Sequence, residues 1–355
     1  MLRAMVAGGH RVLAIGPEDD PAVRAELGAQ RVEFTSVPLQ RTGLNPLQDA
    51  RTVLALTRVV RDFRPDAILM AAVKPIAYGS IAARVAGVPI RAAMITGVGT
   101  ALGGGSGARA RLVAAVVRRL YRVGLEGIDT VLFQNAEDED LFRRLGLIND
   151  RHRLVRIPGS GVDIEYYRPE PMAPTPPVVF LMMSRLLRDK GVIEYLEAAR
   201  RVKREVPGVR MQLLGRLDEN PSGITERDLR EIIAEGAVEY LGVAADVRPH
   251  LAGAHVCVLP SYREGTPKSL LEAMAMGRPL LATDVPGCRE TVAPGRNGEL
   301  VAVRDVDALV EAIKRMVALG SDRLAAMGRE SRAMAEERFD VRDVNRLILG
   351  SMGLD

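Results

Sequence analysis

The chain has 355 residues, 47% hydrophobic and 26% charged, with a formal net charge of +4. That length accommodates two domains, and the composition is globular, without low-complexity tracts. An aromatic content of 4% and the absence of Trp leave few stacking platforms, so no nucleic-acid partner is expected.

Cys257 and Cys288 are the only cysteines and the four histidines are scattered, so neither a zinc pattern nor a disulfide scaffold is present and no metal is assigned. Two isolated thiols fit a reducing cytosol. No apolar run reaches the length of a bilayer span, and the N-terminus has no signal-peptide pattern, which together predict a cytoplasmic location.

Taken in order, "MLRAMVAGGH" (1–10) reads as a last helical turn with a Gly stop, running into the strand "RVLAIG" (11–16). A doubly wound domain opens with a strand and a glycine-bearing loop before its first helix. The expectation is therefore that the first domain lacks its first strand and loop, with a genuinely shorter domain as the alternative. Apolar runs at 66–72, 90–96 and 130–135 predict further buried strands, separated by helical patterns such as 47–63 and 77–86. The segment "GARARLVAAVVRRLYRVGLEG" (107–127) arranges Arg109, Arg111, Arg118, Arg119 and Arg122 around Leu112, Val113, Val116, Val117, Leu120 and Val123. Such a basic amphipathic helix either docks on an anionic membrane or packs into its own domain.

After "YYRPEPMAPTPP" (166–177), the best linker in the chain, strands are predicted again at 177–184, 209–215, 237–242, 255–261 and 279–284. This alternation predicts an α/β protein with two Rossmann-like, doubly wound parallel sheets. The predicted domains are 1–166 and 167–336, with a last helix in 337–355.

Two segments carry chemistry. "SRLLRDKG" (184–191) places Arg185 and Lys190 in a strand-to-helix loop, at the sheet edge where α/β ligands bind. Two cations there suit a diphosphate, although a solvated basic turn has the same composition. In "EGTPKSLLE" (264–272), Thr266 is the expected N-cap, Pro267 the first helical residue, and Gly277 the left-handed stop. Free N–H groups near Lys268, Ser269 and Leu270 attract phosphate. Glu264 and Glu272 flank that cradle, so they are expected to bind hydroxyls. The plainer reading of Glu272 is a helix Glu favoured by the dipole alone.

"DED" (138–140) and "DVD" (305–307) read as solvated helix positions rather than a metal-binding Asp-x-Asp loop. "GVGTALGGG" (97–105) is not a dinucleotide fingerprint, because Leu102 stands where the third glycine belongs. Asp284, Gly287 and Glu290 are expected to shape a loop and cap the next helix. Met182, Met183, Met274 and Met276 read as core filler.

"SRLLRDKG", "PSYREGTPKSLLEAMAMGRPLLATDVPGCRE" and the preceding "IPGSGVD" resemble the retaining glycosyltransferases of family 4, which have the GT-B fold. The R-x4-K and E-x7-E pairs are that family's hallmarks. "KPIAYGSIAARVAGVPIRAAMITGVGTAL" (74–102) and "FQNAEDEDLF" (133–142) resemble the branch that adds N-acetylhexosamines to polyprenyl-diphosphate-linked sugars. The resemblance implies an active site in a cleft between the two sheets and a last helix that crosses back to the first domain. It implies a catalytic set of Arg185, Lys190 and Glu264: the cations hold the donor diphosphate and Glu264 contacts the transferred sugar. Gly265, Thr266, Pro267, Lys268, Ser269 and Leu270 would line the donor, and Glu272 would bind its ribose.

On the same footing, the donor is a UDP-N-acetylhexosamine acting as co-substrate, with no cofactor, no metal and no side-chain base. The acceptor is a polyprenyl-diphosphate-linked saccharide, met at the inner face of the cytoplasmic membrane. Many relatives carry a His at the strand end before "KP", where this chain reads "MAAVKP" and offers Lys74. The alternative function is a non-catalytic nucleotide-sugar binder of the same fold, inactivated by N-terminal truncation.

Overall fold

The computed structural model describes residues 1–40, 45–98, 102, 107–206, 208–218, 220 and 222–354, without the side chains of Arg109 and Ala110. Most of the "GVGTALGGG" run lies outside the described residues. The chain forms two compact units, Met1–Ile157 with Arg342–Asp355, and Pro158–Val341.

In the first unit the elements are α1 (Leu2–Ala7), β1 (Leu13–Gly16), α2 (Pro21–Ala29), β2 (Glu33–Ser36), α3 (Pro46–Phe63), β3 (Ala67–Ala71), α4 (Val73–Ala86), β4 (Ile90–Ile95), α5 (Ala108–Leu125), β5 (Thr130–Phe133), α6 (Ala136–Arg144) and β6 (Arg153–Arg156). The second unit holds β7 (Val178–Met183), a 3-10 turn at Arg188–Lys190, α7 (Val192–Glu205), β8 (Val209–Leu214), α8 (Glu226–Glu235), β9 (Glu239–Tyr240), α9 (Arg248–Gly253), β10 (Val256–Leu259), α10 (Lys268–Ala275), β11 (Leu280–Thr283), α11 (Cys288–Thr291), β12 (Gly298–Val301), α12 (Val306–Ala318) and α13 (Gly320–Arg338). The last helix, α14 (Val341–Ser351), packs in the first unit and starts four residues later than the pattern at 337 predicts.

All strand pairs are parallel. The first unit has a β1–β2 pair and a four-stranded sheet in the order β3-β4-β5-β6. Buried from both sides, β5 reads "TVLF" without alternation, as parallel strands do. One face of this sheet packs Ile95, Val131 and Phe133 against Ile76, Tyr121 and Phe142; the other packs Ala92, Met94 and Leu132 against Val344, Ile348 and Met352. Those last three recur every four residues, so Val344 and Ile348 form the apolar stripe of α14 and Met352 continues it just past the helix end.

The second unit is one sheet in the order β12-β11-β10-β7-β8-β9. Successive crossovers run outward from β7 through β8 to β9, then return to β10 and run outward the other way. The loops after β7 and β10 therefore leave adjacent strands in opposite directions, which is the topological switch point where α/β sheets bind ligands. Val178, Phe180 and Met182 pack under α7 and α12, while Leu181 and Met183 pack under α10. Met182, Met183, Met274 and Met276 are all buried, as core filler should be.

Three strands, β2 ("EFTS"), β6 ("RLVR") and β12 ("GELV"), have no apolar run and were not predictable from periodicity. The "DED" reading needs correction: Asp138 and Glu139 are buried rather than solvated. Asn135 caps α6 by accepting from the Asp138 N–H at 2.8 Å, and Glu139 pairs with Arg156 at 2.8 Å and Arg143 at 3.1 Å. Among the described residues, no helix is long and apolar enough to cross a membrane.

Candidate functional site

The loop leaving β7 is tied down by backbone on both sides. The Leu186 N–H donates to the Arg216 carbonyl at 2.9 Å, and the Arg188 N–H donates to the Ser222 carbonyl at 2.8 Å. The turn Arg188–Lys190 then closes at Gly191, which has φ +74°. Here the chain passes directly against the end of β10, and a Cβ on Gly191 would sit 1.9 Å from the Pro260 carbonyl oxygen. The Asp189 carbonyl accepts from the Tyr262 N–H at 2.9 Å and from the Ser261 hydroxyl at 3.1 Å. Two loops far apart in sequence are thereby fixed as one rigid edge.

At the start of α10, Pro267 is the N-cap, with φ −72° and ψ 117°, and no side chain caps the helix. This corrects the expected register, in which Thr266 caps and Pro267 opens the helix. The proline ring sets φ alone; the extended ψ of Pro267 moves the first helical residue to Lys268, and the Pro267 carbonyl accepts the first intrahelical bond. Gly277 ends the helix at φ +70°, as expected. Two further loops close on this helix start. The backbone of Gly159 lies against the Thr266 side chain, and Gly287 lies so close to Gly265 that a Cβ on it would fall 1.3 Å from the Gly265 carbonyl oxygen.

Of the residues singled out from sequence, the fold brings Lys190 and Glu264 into direct contact, with Nζ 2.5 Å from Oε1 and the Glu264 side chain 10% exposed. Arg185 turns to Asp218 instead, at 2.9 Å, with half of its side chain exposed. Glu272, in the second turn of α10, accepts from the Tyr167 hydroxyl at 2.9 Å and lies 3.6 Å from the Lys268 Nζ. Burial pushes the Glu272 carboxyl above its ordinary value, partly offset by Lys268 and by the Tyr167 hydrogen bond.

Asp218, Tyr167, Glu194 and Tyr262 escaped the sequence reading. Asp218 follows β8 at the same sheet edge as Arg185, an acidic residue in a loop where charge would have been a signal. Tyr167 sits in the segment read as linker and gave no signal. The Tyr262 hydroxyl donates to Glu194 at 2.7 Å, and the Arg304 guanidinium lies 4.3 Å from its ring centre. Burial and Glu194 push the Tyr262 phenol up to about 12, so it stays a donor and braces the β10 loop against α7.

The resulting edge offers a lysine, a nearby arginine, an uncapped helix start and two carboxylates at one switch point. Such a set suits an anion flanked by hydroxyl-bearing groups. Among the described residues, no three His, Cys, Asp or Glu side chains converge to hold a metal ion.

Two parallel α/β units carrying such an edge are the architecture of GT-B glycosyltransferases. The Anabaena protein HepE, solved in complex with UDP-glucose, superposes with a TM-score of 0.78 at 19% identity, over 99% of this chain and 95% of its own. Residues 177–318 match the profile of glycosyl transferases group 1, and residues 1–159 match that of the glycosyl transferase 4-like domain. The chain thus carries the two domains of GT4-like glycosyltransferases. Over 330 residues it is 28% identical to the N,N'-diacetylbacillosaminyl-diphospho-undecaprenol alpha-1,3-N-acetylgalactosaminyltransferase of Campylobacter jejuni, covering 89% of this chain and 84% of that protein. It is 32% identical over 205 residues to a putative colanic acid biosynthesis glycosyltransferase of Escherichia coli, covering 54% of this chain and 49% of that one.

Proposed function

We propose that the protein transfers a sugar from a UDP-sugar to a lipid-linked saccharide, with retention at the anomeric carbon, in bacterial polysaccharide synthesis. The observation that carries this reading is the Lys190–Glu264 pair beside an uncapped helix start at the sheet's switch point. The names of the Campylobacter relative, which acts on a diphospho-undecaprenol-linked sugar, and of the UDP-glucose-bound Anabaena structure support it.

On this reading Lys190 and Arg185 hold the donor diphosphate, Arg185 by exchanging Asp218 for phosphate. They stabilise the charge that grows as the glycosidic bond breaks, with the backbone N–H groups of Gly265, Thr266, Lys268 and Ser269 adding to the field; that of Leu270, expected to be free, is given to the Pro267 carbonyl at 3.1 Å. These cations do the work a metal would otherwise do, so neither a metal nor a cofactor is assigned. Glu264 holds hydroxyls of the transferred sugar, an N-acetylhexosamine, while Lys190 keeps it oriented. Glu272 keeps lone pairs for the ribose beyond those that meet Tyr167. The leaving phosphate takes the acceptor proton, which dispenses with a side-chain base.

We place the acceptor in the first unit and the enzyme at the inner face of the cytoplasmic membrane. The helix α5 supports this placement. Its inner face packs Tyr121 and Leu125, while Arg111, Arg118, Arg119 and Arg122 are exposed and form no ion pair among the described residues. Beside them Leu112 is 66% exposed. An exposed, acid-free arginine row with apolar neighbours matches an anionic lipid surface.

Calorimetric titration with UDP-N-acetylgalactosamine and UDP-N-acetylglucosamine tests the reading. Arg185→Ala and Glu272→Ala should each weaken binding by roughly tenfold or more, the loss of a charge-assisted hydrogen bond. Equal affinity in all three proteins would sink it.

A further inference from the structure

The first unit contains a second buried cation–carboxylate pair, outside the set just described. Lys74, in the first turn of α4, donates from Nζ to Asp49 Oδ1 at 3.3 Å. Asp49 lies in the first turn of α3. Tyr78, one turn beyond Lys74 and also buried, lies close enough to Asp49 to feel the charge of its carboxylate. Burial, then the Asp49 carboxylate, push the Tyr78 phenol above its ordinary range, so it remains protonated. The turn of α3 that carries Asp49 is itself locked, because the buried Thr52 hydroxyl donates to the Pro38 carbonyl. In the same turn the Gln48 amide oxygen is buried with no hydrogen-bond partner among the described residues.

The pair is placed at the end of β3 that leads into α4, where Ala71 and Ala72 are exposed. That end is the carboxyl edge of the sheet, the edge at which α/β units bind ligands. As a stabilising device the arrangement is poor: desolvating a lysine and an aspartate generally costs as much as their attraction returns. What it does well is hold one carboxylate still. Lys74 has its side chain 10% exposed against 19% for Asp49, so the solvent-reaching member of the cluster is the acceptor and not the cation. An ionised carboxylate has about four lone-pair sites; among the described residues Lys74 occupies one. The remaining capacity faces a ligand that donates hydrogen bonds and brings no anion of its own, because the ammonium is already committed. A vicinal diol has that chemistry.

We propose that Asp49, held by Lys74, binds hydroxyl groups of a saccharide in the first unit, and that this saccharide is the sugar of the acceptor. The identification with the acceptor rests on the glycosyl-transfer reading above; the saccharide site itself does not.

Two measurements on the full chain test it. In the first, methyl N-acetylglucosaminide is titrated and observed by saturation-transfer NMR. Signal should be retained in a Glu264→Gln chain, which disables the hydroxyl contact assigned to the donor sugar, and should fall at least fivefold in Asp49→Asn. A signal equal in wild type and Asp49→Asn, or none in either, overturns the site. In the second, transfer from UDP-N-acetylgalactosamine to an undecaprenyl-diphosphate-linked N-acetylhexosamine is measured in detergent micelles. Asp49→Asn should raise the acceptor KM at least tenfold while the Kd for UDP stays within twofold, and Asp49→Glu should recover part of the loss. A change in the Kd for UDP equal to that in the acceptor KM would mean a general structural role and would overturn the assignment. Failure of wild type to bind UDP would count against the glycosyl-transfer reading alone, since the NMR titration needs no donor.

Discussion

Among the described residues, six strands of the second unit run in one parallel sheet with a reversal between β7 and β10, and six of the first divide into a pair and a four-stranded sheet. The difference extends to how each carboxyl edge is held. The second unit builds its edge from main chain: Gly191 against Pro260, Gly287 against Gly265, and glycine at both of those positive-φ positions. The first unit makes the comparable strand-to-helix junction with Ala72 at φ +71° and ψ 158°, a region that belongs to glycine, and fixes its polar groups through side chains. An edge made of backbone is preorganised before any ligand arrives. One made of side chains is more readily altered by substitution, which suits the unit to which we assign the acceptor.

The largest effect is expected where the backbone contact is tightest. A Cβ at Gly287 would lie 1.3 Å from the Gly265 oxygen, so one of the two loops must move in Gly287→Ala. Such a clash at a left-handed position should cost roughly 3 kcal/mol or more, lowering Tm by roughly 6–12 °C for a unit of this size and abolishing UDP binding. A variant that melts within about 2 °C of wild type would break the comparison. The opposite sign is expected in the first unit. Ala72→Gly relieves backbone strain, and should stabilise by about 1 kcal/mol after the entropy cost of glycine; a lower Tm would show that no strain is stored there.

The smallest effect separates stability from function in the second unit. The folded carboxyl of Glu272 titrates above its ordinary value of 4.5 because of burial. Between that value and the raised one, the folded state binds more protons than the unfolded state, so stability falls as pH rises. Wild type and Glu272→Gln should therefore melt alike below pH 4.5. Above it the variant should become the more stable, by about 1 kcal/mol at neutral pH, while it binds UDP more weakly. A variant equally stable across the whole range, by thermal unfolding from acid to neutral pH, would mean that the buried carboxylate costs nothing.

Much of the fold was legible because parallel strands buried on both faces must be apolar throughout. "VVFLMM", "VCVL" and "LLAT" announce themselves for that reason. The edge and short strands "EFTS", "RLVR" and "GELV" do not, since half of their positions answer to solvent or to a turn. At the site, the loop with Arg185 and Lys190 and the helix start after Glu264 were legible from glycine, proline and charge. The one-residue shift of the N-cap from Thr266 to Pro267 was not, because ψ at Pro267 is set by the loops packed around Gly265. Nor was the burial of Asp138 and Glu139: an acidic run on a short helix looks solvated until Arg143 and Arg156 are placed beside it.

By itself the sequence determined the local features: the alternation of strands and helices, the loops after β7 and β10, and the left-handed stop at Gly277. These depend on side-chain periodicity and on the φ preferences of glycine and proline within a few residues. Only the tertiary structure decided which groups meet. Lys190 reaches Glu264 across 74 residues of chain and Tyr167 reaches Glu272 across 105, and Arg185 is drawn to Asp218 by the strap after β8. Such pairings follow from strand order and from what each side chain must do once water is removed, and neither is written in any local stretch.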